Sequence, residues 1–469
     1  MRVTVIGGGI AGLATAYFLL EHARAAGRSV KLTLFERSAG FGGKIVSERR
    51  DGFVIEGGPD SFLTQKPAAL QLCHSLGLDS QLIGTNEDRR KTFIWSKGSL
   101  RALPDGLTLI VPTRMLPFVR SPLLSWPGKL RMGLDLVIPR RRSNGDESLA
   151  SFVRRRLGQE ALDRLAEPMI AGIYAADAER LSLQSTFPHL LDLEQRYGSL
   201  IRGMLAQRRR AATGGTASRT GQAPFMTLRG GLATLIEVLV ARLQADGAML
   251  VNTQAQTLRQ ADSEYLIYTH DGSCIAADAV VFATPAYVTA ELLRPLAPAA
   301  ADALGMIRYV STVTISLGFR SKDLNHPLDG FGFVVPRNER RRILACTWSS
   351  SKFADRAPAG HSLIRAFIGG SRAEQFIGLD DDTLVDLVRE ELRLTMGLTA
   401  APVLERIFRW RQANPQYDVG HADRVATIEG LVGQLPGLYL VGSAYHGIGL
   451  PDCIQNGKRV ANLVLGGTP

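Results

Sequence analysis

The chain has 469 residues, 45% of them hydrophobic, with Lys+Arg 55 against Asp+Glu 44 and a formal net charge of +11. That length exceeds a single hydrophobic core and predicts two or three domains; the basic balance favours acidic surfaces such as anionic lipid or an anionic substrate, with nucleic acid last because no nucleic-acid-binding motif is present. Four scattered cysteines, Cys73, Cys274, Cys346 and Cys453, without a C-x-x-C pair, argue for a reducing compartment and against a structural zinc site.

The first strand begins within three residues, which leaves no room for a signal peptide, and no run approaches 18 uninterrupted apolar residues, so a cytoplasmic protein is expected. Val3 to Gly12 reads VTVIGGGIAG, an apolar strand running into Gly7, Gly9 and Gly12 at G-x-G-x-x-G spacing, with Gly8, Ile10 and Ala11 completing the turn before a helix. Gly7 permits the tight turn, Gly9 the approach of backbone N–H groups to a pyrophosphate, and Gly12 close packing of helix on strand. A second strand, Val30 to Phe35, ends at Glu36, where a ribose hydroxyl needs an acceptor. The acid repels a 2′-phosphate, so FAD or NAD is favoured over an NADP-type ligand.

From Leu100 to about Gln207 the chain mixes Pro, Leu, Trp and Arg with helical patterns at Leu149 to Leu157 and Ala161 to Ala171. Gln207 to Pro224, polar and rich in Gly, Thr and Arg, reads as a mobile surface loop. Phe225 to Pro285 reads as a glycine turn, a helix (Leu232 to Ala245) and strands near Met249 to Val251, Tyr265 to His270 and Ala279 to Ala283. Residues 290–420 mix helices with strands Thr312 to Phe319 and Ser362 to Ile368; Leu438 to Leu465 gives a strand, a glycine-rich turn and a final helix. The expected division is a discontinuous nucleotide-binding domain (1–85, 225–290 and 420–469), a substrate domain (86–100 and 291–419) and a mainly helical, membrane-surface domain (101–224) with the loop at 207–224.

Glu36-Arg37 followed by Gly42-Gly43-Lys44, and the turn Gly57-Gly58-Pro59-Asp60, resemble the flavin-containing amine oxidase superfamily. The resemblance implies an α/β fold of the GR2 type: a Rossmann-like FAD-binding domain, a mixed α+β substrate domain and a helical domain. It also implies that Arg37 and Gly43 bind the cofactor, that Lys44 contacts the diphosphate side of FAD, that the 57–60 turn passes the isoalloxazine ring, and that Ile448-Gly449-Leu450 aims a helix N-terminus at the flavin pyrimidine. Ala255 matches the strand position whose backbone meets the adenine end, and Trp410 a tryptophan near the flavin. With no cysteine between Gly420 and Gly442, the FAD is expected to be noncovalent.

Gly330 to Pro336, Asp146 to Leu149, Glu167 to Tyr174 and Pro415-Gln416-Tyr417 are similar, in order along the chain, to the oxygen-dependent porphyrinogen oxidases of haem synthesis. The implied reaction takes protoporphyrinogen IX to protoporphyrin IX in three two-electron steps, releasing hydrogen peroxide from oxygen; coproporphyrinogen III oxidation is the alternative. Phe331 and Phe333 are candidate walls of the macrocycle slot, Asp60 a candidate for a pyrrole N–H and Lys66 for a propionate. Thr92 stands where animal and plant enzymes carry a propionate-binding arginine. No residue is assigned as an essential base and no metal is expected. An amine oxidase is disfavoured because VSTVTISLGF, the strand from Val310, lacks the lysine such oxidases use, and a carotenoid desaturase ranks with it as a distant alternative. The expected partners are the porphyrinogen and oxygen, a ferrochelatase or other haem-pathway protein, and an anionic membrane surface, since apolar residues alternate with cations from Leu100 to Arg142. A non-enzymatic porphyrin-binding protein on a membrane surface is the remaining alternative.

Overall fold

The computed structural model describes residues 1–467 apart from 109, 113, 143–144, 214–222 and 263. In chain order the elements used below begin with β1 (Arg2–Ile6), α1 (Ile10–Ala25), β2 (Lys31–Phe35), β3 (Thr92–Ser96) and β4 (Ser99–Ala102). The middle of the chain contributes α2 (Trp126–Gly133), α3 (Leu149–Arg156), α4 (Glu167–Tyr174), α5 (Leu200–Thr213) and α6 (Ala233–Ala245). Next come β5 (Met249–Val251), β6 (Ala279–Phe282), β7 (Tyr309–Arg320), β8 (Gly332–Val334), β9 (Ala345–Thr347) and β10 (His361–Gly369). The chain closes with α7 (Asp381–Met396), β11 (Leu404–Pro415), α8 (His421–Val432), β12 (Leu438–Leu440) and α9 (Leu450–Val464).

A five-stranded parallel sheet runs in the order β5-β2-β1-β6-β12. Its strands are apolar nearly throughout because both faces are covered. Val3, Val5, Leu32, Leu34 and Val281 pack with residues of α1, α6 and α9 on one face, while Ile6, Phe35, Val280 and Phe282 pack with Val425, Ile428 and Val432 of α8 on the other. Strands separated by hundreds of residues thus sit side by side. Their carboxyl ends form the crevice where such sheets take ligands.

A seven-stranded mixed sheet runs in the order β11-β7-β10-β9-β8-β3-β4. Its register aligns Thr92, Gly332, Thr347, Arg365 and Ser316 in one row and Ile94, Val334, Ala345, Phe367 and Thr314 in the next. Because side chains alternate between faces, the intervening residues point the other way: Trp95, Ile315, Phe333 and Cys346 join Leu384, Val388 and Leu392 of α7 in a core. Phe333 is only 1% exposed there, which corrects the expectation that it walls a slot. Ile94 and Val334, on the opposite face, pack against the helical cluster built from Leu149, Phe152, Leu165 and Leu200.

The expected loop from Gln207 is corrected too: α5 continues through Thr213, and 214–222 of that segment lie outside the described residues. The helical pattern at Ala161 to Ala171 forms, with a π-type turn at Leu162–Ala166 leading into α4. At the end of α3, Arg156 makes an ion pair with Asp135, both side chains fully buried. No described helix is long and apolar enough to cross a membrane.

Candidate flavin site

The first glycine turn joins β1 to α1 by close backbone contact. A Cβ on Gly12 would stand 2.0 Å from the Gly7 carbonyl oxygen, and one on Gly7, whose φ is +112°, would stand 2.7 Å from the Ala283 oxygen. Gly9 caps α1 without a side-chain hydrogen bond, and the first turn, Ile10-Ala11-Gly12, carries no acid. The backbone donors of that turn are left for an anion on the positive end of the helix. Gly42 N–H donates to the Gly8 oxygen at 2.8 Å, so the Gly42-Gly43 turn lies beside it. Glu36 accepts from the backbone N–H of Gly8 at 2.8 Å and of Ser38 at 2.9 Å. Arg37 is exposed and Ala255 buried at the start of its strand, Ala255–Ala261.

The second turn is fixed from below. The Gly57 carbonyl oxygen accepts from Trp410 Nε1 at 2.8 Å, Thr314 Oγ1 at 2.9 Å and Arg365 Nη2 at 2.9 Å. Arg365 also donates to the Gly58 oxygen at 2.5 Å. A Cβ on Gly58 would stand 1.8 Å from the Lys44 carbonyl oxygen, so only glycine fits. Pro59 is exposed, and Asp60 accepts from Lys352 Nζ at 2.8 Å. Burial pushes the Asp60 carboxyl up, but Lys352 and Arg365 outweigh it and hold it well below the usual carboxylate range. The Lys44 side chain turns away from the glycine turn to donate from Nζ to the Ala413 oxygen at 2.7 Å, and burial lowers its ammonium from the ordinary value. Between Trp410 and Ala413, a break in the β7–β11 register carries Gln412 at φ +43°; such a bulge re-aims its neighbours.

The third component is the N-terminus of α9. Gly449 caps it without a side-chain bond, after the partly buried Ile448 and before the buried Leu450. Gly457 lets α9 lie against α1: a Cβ there would stand 3.0 Å from Thr15 N. Tyr417 ties the preceding loop together, donating to the Ser443 oxygen and accepting from Gly447 N–H, each at 2.8 Å. His421 stacks on the Tyr417 ring at 3.9 Å. Asp452 in the first turn of α9 accepts from Lys66 Nζ at 2.7 Å through both oxygens, so this lysine has an intramolecular partner.

Residues 10–465 match the family model described as flavin containing amine oxidoreductase. The chain belongs to the flavin-containing amine oxidoreductase family. It is 39% identical to the coproporphyrinogen III oxidase of Propionibacterium freudenreichii subsp. freudenreichii, covering 99% of this chain and 90% of that protein. It is 36% identical to the coproporphyrinogen III oxidase of Bacillus subtilis (strain 168), over 99% and 98% respectively. The crystal structure of a provisionally named protoporphyrinogen oxidase from Exiguobacterium sp. 255-15 superposes with a TM-score of 0.86 at 33% identity, over 99% of this chain and 98% of that one.

In this flavin oxidoreductase the two uncapped helix starts and the glycine turn fit an extended flavin nucleotide: backbone donors without acidic competition at α1, and backbone surface that a Cβ would fill at Gly12 and Gly58. The sequence reading missed Arg365, Lys352 and Thr314, which approach the turn from β7, β10 and a short helix, Ser349–Lys352. Nothing local marks them. The one available signal was an arginine inside the otherwise apolar strand Ser362 to Ile368.

Two expected outcomes follow from this geometry. Glu36→Ala removes an acceptor beside the Gly8 turn, so flavin retention through gel filtration falls by about tenfold in affinity, the size of one hydrogen bond to a charged group. His421, pushed down to about 4 chiefly by burial, is neutral in the fold but takes a proton near its ordinary value when unfolded. Stability it contributes is therefore full above about pH 6.5 and lost as pH falls toward 4, by up to about 3 kcal/mol. Denaturation midpoints at pH 7 and 4.5 measure the loss, and His421→Phe flattens it.

Proposed function

We propose that this flavin oxidoreductase binds FAD noncovalently and oxidises a porphyrinogen to the porphyrin in haem biosynthesis. The observation that carries the reading is the pairing of two glycine-capped helix N-termini, α1 and α9, with a rigid glycine turn at 57–60, in a chain similar over its whole length to porphyrinogen oxidases. Bound FAD would supply the two-electron acceptor that oxygen regenerates, with hydrogen peroxide as product. The backbone N–H groups opening α9 favour negative charge where the family places the flavin pyrimidine. Val334 and Phe367, both only partly buried on the sheet face opposite Phe333, are the proposed apolar contacts for the macrocycle in its place. Phe331, partly buried just before β8, and Asp60 and Lys66 remain candidates for substrate contact. Each proton released from the macrocycle passes to water, with no dedicated base assigned.

Of the three proteins compared above, the two named for coproporphyrinogen III are 39% and 36% identical and the one named for protoporphyrinogen is 33% identical, so coproporphyrinogen III is the proposed substrate. Anaerobically prepared samples of both porphyrinogens, given the protein and air, test this by porphyrin fluorescence. Faster protoporphyrin formation reverses the substrate, and oxidation of neither above the spontaneous rate rejects the activity.

The division into FAD-binding, substrate and helical parts is retained as a proposal, as is docking of the helical part on the inner face of the cell membrane. Leu130 and Val137 are 71% and 73% exposed, and Trp126 lies beside them in sequence with Lys129 4.7 Å over its ring. Exposed apolar groups among cations suit an anionic lipid surface, from which product would pass to a ferrochelatase or another haem-pathway protein. The protein should float with anionic liposomes at low salt and be released at high salt; no flotation at low salt refutes the docking.

A further inference from the structure

We infer that Arg365 is a positioning residue that also sets the charge of the flavin site, a fixed cation beneath the Gly57–Gly58 turn that biases the cofactor toward its reduced, anionic state. The inference rests on the FAD oxidase reading. Arg365 is only 3% exposed, and among the described residues no carboxylate pairs with its guanidinium. Its Nε has no hydrogen-bond partner, and its Nη2 spends both bonds on the carbonyls of Gly57 and Gly58.

Satisfying the Gly57 carbonyl does not require a cation. The two lone pairs of the Gly57 oxygen are already met by Trp410 and Thr314. A buried, unpaired charge with an unsatisfied donor is an expensive way to hold a turn. Perturbed groups of this kind concentrate at functional sites.

The neighbouring charges define the sign. Lys352 has Asp60 at 2.8 Å and Arg356 has Glu56 at 3.9 Å. Arg365 is thus the cation left over, and the cluster carries one excess positive charge. Its row across the sheet, Thr92, Gly332, Thr347 and Ser316, is otherwise uncharged. A positive charge in a low-dielectric site favours any neighbour that becomes negative. Asp60, which feels both Lys352 and Arg365, is the opposing term.

Flavin midpoint potentials, from anaerobic reductive titration against a reference dye, test the inference in purified holoprotein. Arg365→Gln should make the potential more negative by at least a tenfold change in the reduced-to-oxidised ratio, about 30 mV for a two-electron couple. Arg365→Lys, which keeps the charge and loses the fork, should stay near wild type. Asp60→Asn should move the potential in the positive direction, and carries the test alone if Arg365→Gln does not fold. An unchanged potential in Arg365→Gln, an equal shift in Arg365→Lys, or no positive shift in Asp60→Asn overturns the inference. Wild-type protein that retains no flavin overturns the oxidase reading instead.

Discussion

Gly12→Ala is expected to leave the purified protein without visible flavin absorbance. The added carbon would stand 2.0 Å from the Gly7 carbonyl oxygen and 3.1 Å from the Ala283 side chain. Both obstacles belong to the β1 turn and the neighbouring β6 end, so neither can rotate aside as a flexible side chain would. Relief comes only by lifting α1 from the sheet, which moves the donors of Ile10 and Ala11 away from the pyrophosphate position. A displacement of that kind should weaken flavin binding by at least about hundredfold, or about 3 kcal/mol. Gly27→Ala, at a glycine with nothing within 4 Å of its Cβ position, is the control for overall folding; its positive φ costs about 1 kcal/mol, and it should retain flavin.

Arg156→Met should be the most destabilising change outside the cofactor site, by about 3–5 kcal/mol. Arg156 Nε donates to Asp135 Oδ1 at 2.6 Å, while its Nη2 donates to the carbonyls of Asp135 and Gly198, both at 2.8 Å. Asp135 Oδ2 in turn accepts from Ser199 Oγ at 2.6 Å and from Ile201 N–H at 2.9 Å. Removing the guanidinium strands a carboxylate with 0% exposure and frees the chain after α2 from α3 and α5. Denaturant unfolding checks the magnitude. Adding Asp135→Leu to Arg156→Met should restore part of the loss, because the buried charge disappears with its partner.

What was legible in the sequence was local. The turn at Gly7 to Gly12, Glu36 at the end of β2 and the cap at Gly449 were each readable because a few neighbouring residues carry both conformation and chemistry. The parallel sheet was also foreseeable, since β1, β2, β6 and β12 are near-continuous apolar runs. The alternation at Phe331-Gly332-Phe333 correctly marked a strand but not which face would be covered. Burial of Phe333 under α7 is decided by a helix some fifty residues later, so the apolar residue left facing the helices is Val334.

The polar floor of the site was illegible for the same reason. Thr314, Lys352, Arg365 and Trp410 come from different elements and meet only through the β9-β10-β7-β11 register and the Gln412 bulge. Lys44 shows the limit of a motif. Its position beside Gly43 was readable, whereas the turn of its ammonium toward Ala413 depends on where β11 passes.

The most direct test of the account is electron stoichiometry. Purified protein with bound FAD, given coproporphyrinogen III in air, should consume three molecules of oxygen and release three of hydrogen peroxide for each coproporphyrin III formed, as six electrons leaving in pairs require. Porphyrin appearing no faster than in protein-free controls, or oxygen uptake without porphyrin, would contradict it.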